Sequence, residues 1–191
     1  QSLLDIGDWA RSIDFLNSAL LADPDDPMLL SYLALSYYYD NGIGASNLAL
    51  TTIDKAIELC GNQAFPYAAL GEILLREERY KDSHAAFTKA ISLDPTVKRW
   101  YIARANSTRA MGDYGLAAAE YEELILRHPG YAPVYIELAW LHYSQGRFVY
   151  AAELLGQATN LRMNPSAADL VKIGLIYEQA GRTVEARSAF G

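Results

Sequence analysis

One spacing governs what this chain can fold into. Gly112, Tyr114, Ala117, Tyr121, Leu124 and Pro129 are matched, 34 residues upstream, by Glu78, Tyr80, Ser83, Phe87, Ala90 and Pro95. The series continues 34 residues downstream with Gly146, Phe148, Ala151, Leu155 and Ala158, and after one extra residue with Gly181, Thr183, Ala186 and Phe190. A fixed period of this size means one supersecondary unit copied and stacked, because a single copy cannot bury its own apolar face. The functional class this implies is a binding scaffold.

The first half of each unit reads as a helix with one buried face. Leu30, Leu33, Ala34 and Tyr37 stand at i, i+3, i+4 and i+7, the spacing of an apolar helical stripe. Tyr67, Leu70, Gly71 and Leu74 follow, then Tyr101, Arg104, Ala105 and Thr108, then Tyr135, Leu138, Ala139 and His142, then Leu170, Ile173, Gly174 and Tyr177. The third position of each set is small, which suits helices crossing at close range. Second helices carry an Ala-spaced stripe such as Ala49, Ile53 and Ala56, and most end near a proline (Pro24, Pro95, Pro129, Pro165), where a missing N–H and fixed φ stop the helix. The chain thus reads as a single array, 1–191: a partial repeat over 1–26, full repeats over 27–63, 64–97, 98–131 and 132–166, and a truncated one over 167–191. In the first full repeat the turn DNGIGAS adds three residues. The partial repeat has Gly7, Trp9, Ser12, Leu16, Ala19 and Pro24 behind a stub holding Leu3 and Leu4, and Gly191 follows Phe190 inside a second helix. These ends predict a piece of a longer protein, with Trp9 or Leu16 partly uncovered and the last helix frayed.

Charge excludes one large class of partner. Residues 1–63 hold nine Asp and Glu against Arg11 and Lys55, whereas residues 64–191 hold fourteen of each sign. A nucleic-acid binder needs a basic stripe to displace counterions, so no nucleic-acid partner is expected. No apolar run approaches the roughly 18 residues of a membrane span, and the opening QSLLDIGDW lacks the basic-then-apolar layout of a secretory signal. Membrane insertion by this segment is not expected. One cysteine, Cys60, allows neither an intrachain disulfide nor a cysteine-built metal site. His84, His128 and His142 fall in different repeats and read as structural or surface residues. No catalytic constellation, cofactor motif or metal site is present in the pattern, so an enzyme is not expected.

Aromatic or Leu, then Leu, a small residue, Tyr or Leu, Gly, Tyr, Ala, Phe or Tyr, Ala and Pro, in that order on this period, resembles the tetratricopeptide repeat (TPR). Arg104, Thr183 and Met163 depart from the usual Leu, aromatic and Pro without breaking the period. The longer turn of the first full repeat is also similar to Sel1-like repeats. The resemblance implies an all-α fold, a right-handed α-α superhelical solenoid of antiparallel helix pairs, whose first helices line a concave groove that binds peptides or helices of partner proteins. The RNA-reading pentatricopeptide relatives are usually basic and carry a paired polar code, neither of which is seen here. Some chaperone cofactors of the family clamp a dicarboxylate. Of the matching positions, Ser31, Leu35, Ala69, Arg99 and Ala103, only the Arg is kept. Nor do Tyr32, Ala69, Ala103, Glu137 and Lys172 supply the Asn ladder of the family's glycosyltransferases.

If the resemblance holds, the stripe beside each buried face lines the groove. It comprises Met28, Ser31, Leu35 and Tyr38; Phe65, Ala68, Glu72 and Leu75; Arg99, Ile102, Asn106 and Arg109; Pro133, Ile136, Trp140 and Tyr143; and Ala168, Val171, Leu175 and Glu178. Exposure is expected for Tyr38, Trp140, Tyr143 and Leu175, whereas Ile102, Ile136 and Val171 suit the groove and inter-repeat packing equally. Arg99, Arg109 and Arg76 are placed to converge near Asn106 with Lys98 at the rim, or else to neutralise Glu72 and Glu137. The partner expected is a protein or peptide with apolar anchors and an acidic group near its middle. Two further readings stand beside the adaptor: a regulatory or substrate-docking arm of a larger enzyme or secretion machine, and self-association through Trp9, Leu16 or the last helix.

Overall fold

A computed structural model describes residues 8–40, 45–159, 161 and 165–190. Among them are eleven α-helices and no strand: α1 (Trp9–Leu20), α2 (Pro27–Asp40), α3 (Ala45–Leu59), α4 (Phe65–Arg76), α5 (Tyr80–Leu93), α6 (Lys98–Ala110), α7 (Tyr114–Arg127), α8 (Ala132–Ser144), α9 (Phe148–Thr159), α10 (Ala167–Gln179) and α11 (Thr183–Phe190). They fall into two compact units, Gln1–Met111 and Gly112–Gly191. In the first, α2 lies against α1, α3 and α4, and α4 against α5 and α6; in the second, α8 lies against α7, α9 and α10, and α10 against α9 and α11. Leu3, Leu4, Gly7, the inserted residues 41–44, Met163 and Gly191 lie outside the described residues.

Packing follows the stripes read from the sequence and adds a second face to them. Leu30 and Ala34 are buried against a second helix whose Ala49, Ile53 and Ala56 are wholly enclosed, and Leu33 is buried as well. Tyr135, Leu138, Ala139 and His142 are likewise buried in α8, but so are Val134, Ile136 and Leu141 around the same helix. A first helix in a stack meets both its own second helix and a neighbouring repeat, so a single-stripe reading undercounts its core. Of the two residues of which one was expected to be partly uncovered, Trp9 is half-buried, while Leu16 is 5% exposed in the helix that lies on α2. Trp9 stacks on the Tyr39 ring of α2 at 4.8 Å.

Close crossing explains the small position. An added Cβ at Gly71 in α4 would come within 2.9 Å of the Phe87 ring in α5. Beside it, Ser83 donates to the Gly71 carbonyl at 2.8 Å, and the Ser83 and Ser107 hydroxyls meet at 2.9 Å in a buried pair. Ser12 and Ser36 repeat that pair at 3.0 Å, while Ala49 and Ile73, at the same sequence separation, are purely apolar. Ser107 also donates to the Ala103 carbonyl. Ser83→Ala should therefore cost about 1 kcal/mol, with Ser107→Ala adding little to it, since removing both members strands no polar group. Urea unfolding of the two single variants and their combination checks this; full additivity would refute it.

The turn between paired helices needs a left-handed residue at a fixed place. Gly112, Gly146 and Gly181 take φ of 86°, 74° and 75° there, and Glu78 takes 59°. The amide of the next residue returns to the helix end, as in Arg79 to the Leu74 carbonyl (2.9 Å) and Arg147 to the His142 carbonyl (3.0 Å). This closes the last turn by a left-handed cap. Because a side chain pays a steric cost in that region, Glu78→Gly is expected to stabilise the first unit by roughly 0.5–1 kcal/mol, offset in part by unfolded-state entropy. A fall in the urea midpoint would count against it.

Candidate functional site

The first helices of the first unit enclose a cavity of about 320 Å³. Its walls are Tyr32, Leu35 and Tyr39 from α2, Phe65 and Glu72 from α4, and Arg99 and Trp100 from α6, with Ala68, Ala69 and Ala103 leaving room between them and Phe87 behind. Helical spacing places them: residues three and four apart project from one side of each helix, and equivalent positions of stacked repeats come side by side. The Tyr32 and Phe65 rings meet at 4.6 Å.

Charge within this unit is mostly spoken for. Glu72 accepts from the Tyr39 hydroxyl at 2.7 Å and pairs with Arg76 at 3.5 Å. Arg76 also lies over the Tyr39 ring, 4.7 Å from its centre, so the ring is layered between a guanidinium and Trp9. Burial first, then the bond to Glu72, pushes the Tyr39 hydroxyl up to about 12, and it remains a proton donor at any physiological pH. Tyr38, edge-on to Tyr39 at 6.0 Å, is raised by burial and by its hydrogen bond to Glu77. Arg109 donates to Asn106 Oδ1 at 3.2 Å. The three arginines thus take different surroundings: Arg109 reaches Asn106, Arg76 turns to Glu72, and Arg99 sits exposed on the cavity wall.

In the second unit the corresponding stripe of α8 is aromatic. Trp140 and Tyr143 stack at 4.9 Å and 11°, and Phe148 lies 5.3 Å from Tyr143. Glu137 of α8 pairs with Lys172 of α10, so a lysine from the next repeat, not an arginine, neutralises it. Tyr38, Leu75, Trp140, Tyr143 and Leu175 are all half-buried. The residues left open between groove and packing divide: Ile136 is 3% exposed and Val171 52%, with Ile102 between.

The structure joins Leu35, Glu72 and Arg99 in one cavity and adds Tyr32, Tyr39 and Trp100, which the stripe did not include. Three consecutive tyrosines, Tyr37, Tyr38 and Tyr39, carry no local signal of which one turns toward α4 and its arginine. Among the described residues, no group of three His, Cys, Asp or Glu side chains is placed to hold a metal ion, and no helix is long and apolar enough to cross a membrane.

Paired helices repeated along the chain, with aromatic and charged side chains gathered on the first helices, define a repeat scaffold for protein–protein interaction. Tetratricopeptide repeat models match residues 66–97 and 109–174, together just over half of the chain. The chain belongs to the tetratricopeptide repeat family. A tetratricopeptide repeat and J domain-containing co-chaperone of Cryptococcus neoformans var. grubii is 24% identical over 140 residues, 71% of this chain and 27% of that protein. The chain thus spans about a quarter of that relative's length. Among solved structures, pilF of Pseudomonas aeruginosa superposes with a TM-score of 0.75 at 19% identity, covering 98% of this chain and 83% of that one. YrrB, described as a TPR protein with an unusual peptide-binding site, gives a TM-score of 0.58 at 16% identity over 91% of this chain and 88% of that one. At such identities these likenesses are likenesses of fold.

Proposed function

We propose that the chain is a noncatalytic adaptor that receives a peptide or helix of a partner protein on the inner faces of its first helices. The supporting observation is the cavity of the first unit, walled by aromatic rings and carrying one exposed arginine whose charge is not taken up by a carboxylate among the described residues. A concave, largely apolar surface with a few polar groups is the form such sites take. Leu35, Tyr38, Glu72, Leu75, Arg76, Arg99, Asn106 and Arg109 in the first unit, and Trp140, Tyr143 and Leu175 in the second, are the residues proposed to face the partner. The whole length 1–191 is read as one array of repeats. Photocrosslinkers at Leu35 and Leu175 should capture the partner, and those at Thr51 and Glu153 on second helices should not. Arg109→Ala with Trp140→Ala should weaken that capture. Capture only from the second-helix positions would reject the reading.

A second reading, in which this array is the docking arm of a larger enzyme or assembly machine, is favoured by one observation. The region matched in the co-chaperone relative, which also contains a J domain, is 27% of its length. Sequencing the gene together with both of its flanks separates the two readings, since a catalytic domain in the same reading frame would decide for the second.

A further inference from the structure

Resting on that reading, we infer that the cavity of the first unit is a receptor for one aromatic side chain that carries a carboxylate beside it, the carboxylate being held by Arg99. Shape and charge each narrow the guest. The rings of Tyr32, Phe65 and Trp100 face a gap kept open by Ala68 and Ala103, and a slot of about 320 Å³ accommodates a ring better than a linear chain, because flat surfaces in contact fill it without voids. The one carboxylate on the wall, Glu72, already accepts from Tyr39 and pairs with Arg76. Arg99 is exposed, and no hydrogen bond or ion pair engages it among the described residues. The uncompensated charge in the slot is therefore positive. It repels a lysine or arginine guest and favours an anion, to which a guanidinium can present two parallel N–H donors.

The charge of the whole unit sets how acidic the guest is. Residues 1–111 carry fourteen Asp and Glu against ten Lys and Arg, so the long-range field opposes an acidic tract while Arg99 acts within a few ångströms. One carboxylate is recognised, not a run of them. An Asp side chain next to the aromatic residue and the free carboxyl of an aromatic C-terminal residue present the same chemistry.

The test is calorimetric titration of the full chain with short blocked peptides built on Phe-Asp, Phe-Asn, Ala-Asp and Phe-Asp-Asp-Asp, and with an otherwise identical peptide ending in free Phe carboxylate. Phe-Asp is expected to bind roughly 10-fold or more tighter than Phe-Asn, the worth of one charge-assisted hydrogen bond. It should exceed Ala-Asp by a similar factor, with no gain from the extra aspartates. Stronger binding by the free-acid peptide than by Phe-Asp would assign the carboxylate to a chain end and support the same slot. Arg99→Gln should erase the Asp over Asn preference and keep that of Phe over Ala. Ala103→Leu should fill the slot and abolish both preferences with helicity unchanged. An Asp over Asn preference that survives in Arg99→Gln overturns the inference, as does equal binding of Phe-Asp and Ala-Asp. If no peptide binds while the crosslinker at Leu35 still captures a partner, the slot assignment falls and the adaptor reading stands; loss of both results removes both.

Discussion

Phe87→Ala is expected to destabilise the first unit by about 3–5 kcal/mol, a large share of the roughly 5–15 kcal/mol that holds an ordinary domain together. The ring is 1% exposed, fills the space beside Gly71 and backs the inner cavity. Truncation leaves a void beside Gly71, and the cost depends on how little the surrounding helices relax into it. Gly71→Ala probes the same contact from the other side. In the unaltered protein its Cβ would meet the ring at 2.9 Å, and this overpacking is expected to cost about 1–3 kcal/mol. In the Phe87→Ala background that clash is gone, and the better helix propensity of Ala over Gly, up to about 1 kcal/mol, should make the same substitution neutral or stabilising. Urea unfolding of the four proteins, with amide exchange in α4 and α5 as the local readout, measures the coupling. Additive effects would mean that the crossing is not where the two helices lock.

The second large effect concerns pH. His142 is 4% exposed in α8, neither ring nitrogen has a hydrogen-bond partner among the described residues, and its ring lies edge-on to Tyr150 at 4.7 Å. Burial, and then the positive charge of Arg147, hold its pKa below the ordinary 6.5. An unfolded chain takes up the proton near 6.5, while the folded one refuses it until lower pH. The stability of the second unit is therefore full above that value and is lost progressively as pH falls from about 6.5 toward the depressed folded pKa. Each unit of depression is worth about 1.4 kcal/mol once protonation is complete. His142→Phe keeps a ring in the site and removes the titration, so unfolding free energies measured at pH 7.5 and 5.5 should differ less in the variant. An unchanged difference would show that other groups carry the acid sensitivity.

The serine pairs, the left-handed Glu78 and the buried His142 are all departures from the repeat pattern, and of these the serines are compensated by a neighbouring residue. Ser83 finds Ser107 and Ser12 finds Ser36, whereas Glu78 keeps the backbone of a glycine without its freedom. Those compensations lie one repeat away in sequence, so they are invisible to a reading that follows one stripe at a time.

Period and residue size were enough to predict an all-helical repeat, to mark Gly71 as a crossing point, and to put on one stripe Leu35, Glu72 and Arg99, which line one cavity. These properties are local, set by which side chains fall three and four apart and where the backbone must turn. The partners of the charges were decided across repeats. Within one helix Arg76 pairs with Glu72, but the Tyr39 ring that it covers and the Glu137 that Lys172 takes belong to other repeats. Such choices depend on distances between side chains far apart along the chain, and those distances exist only once the helices have packed.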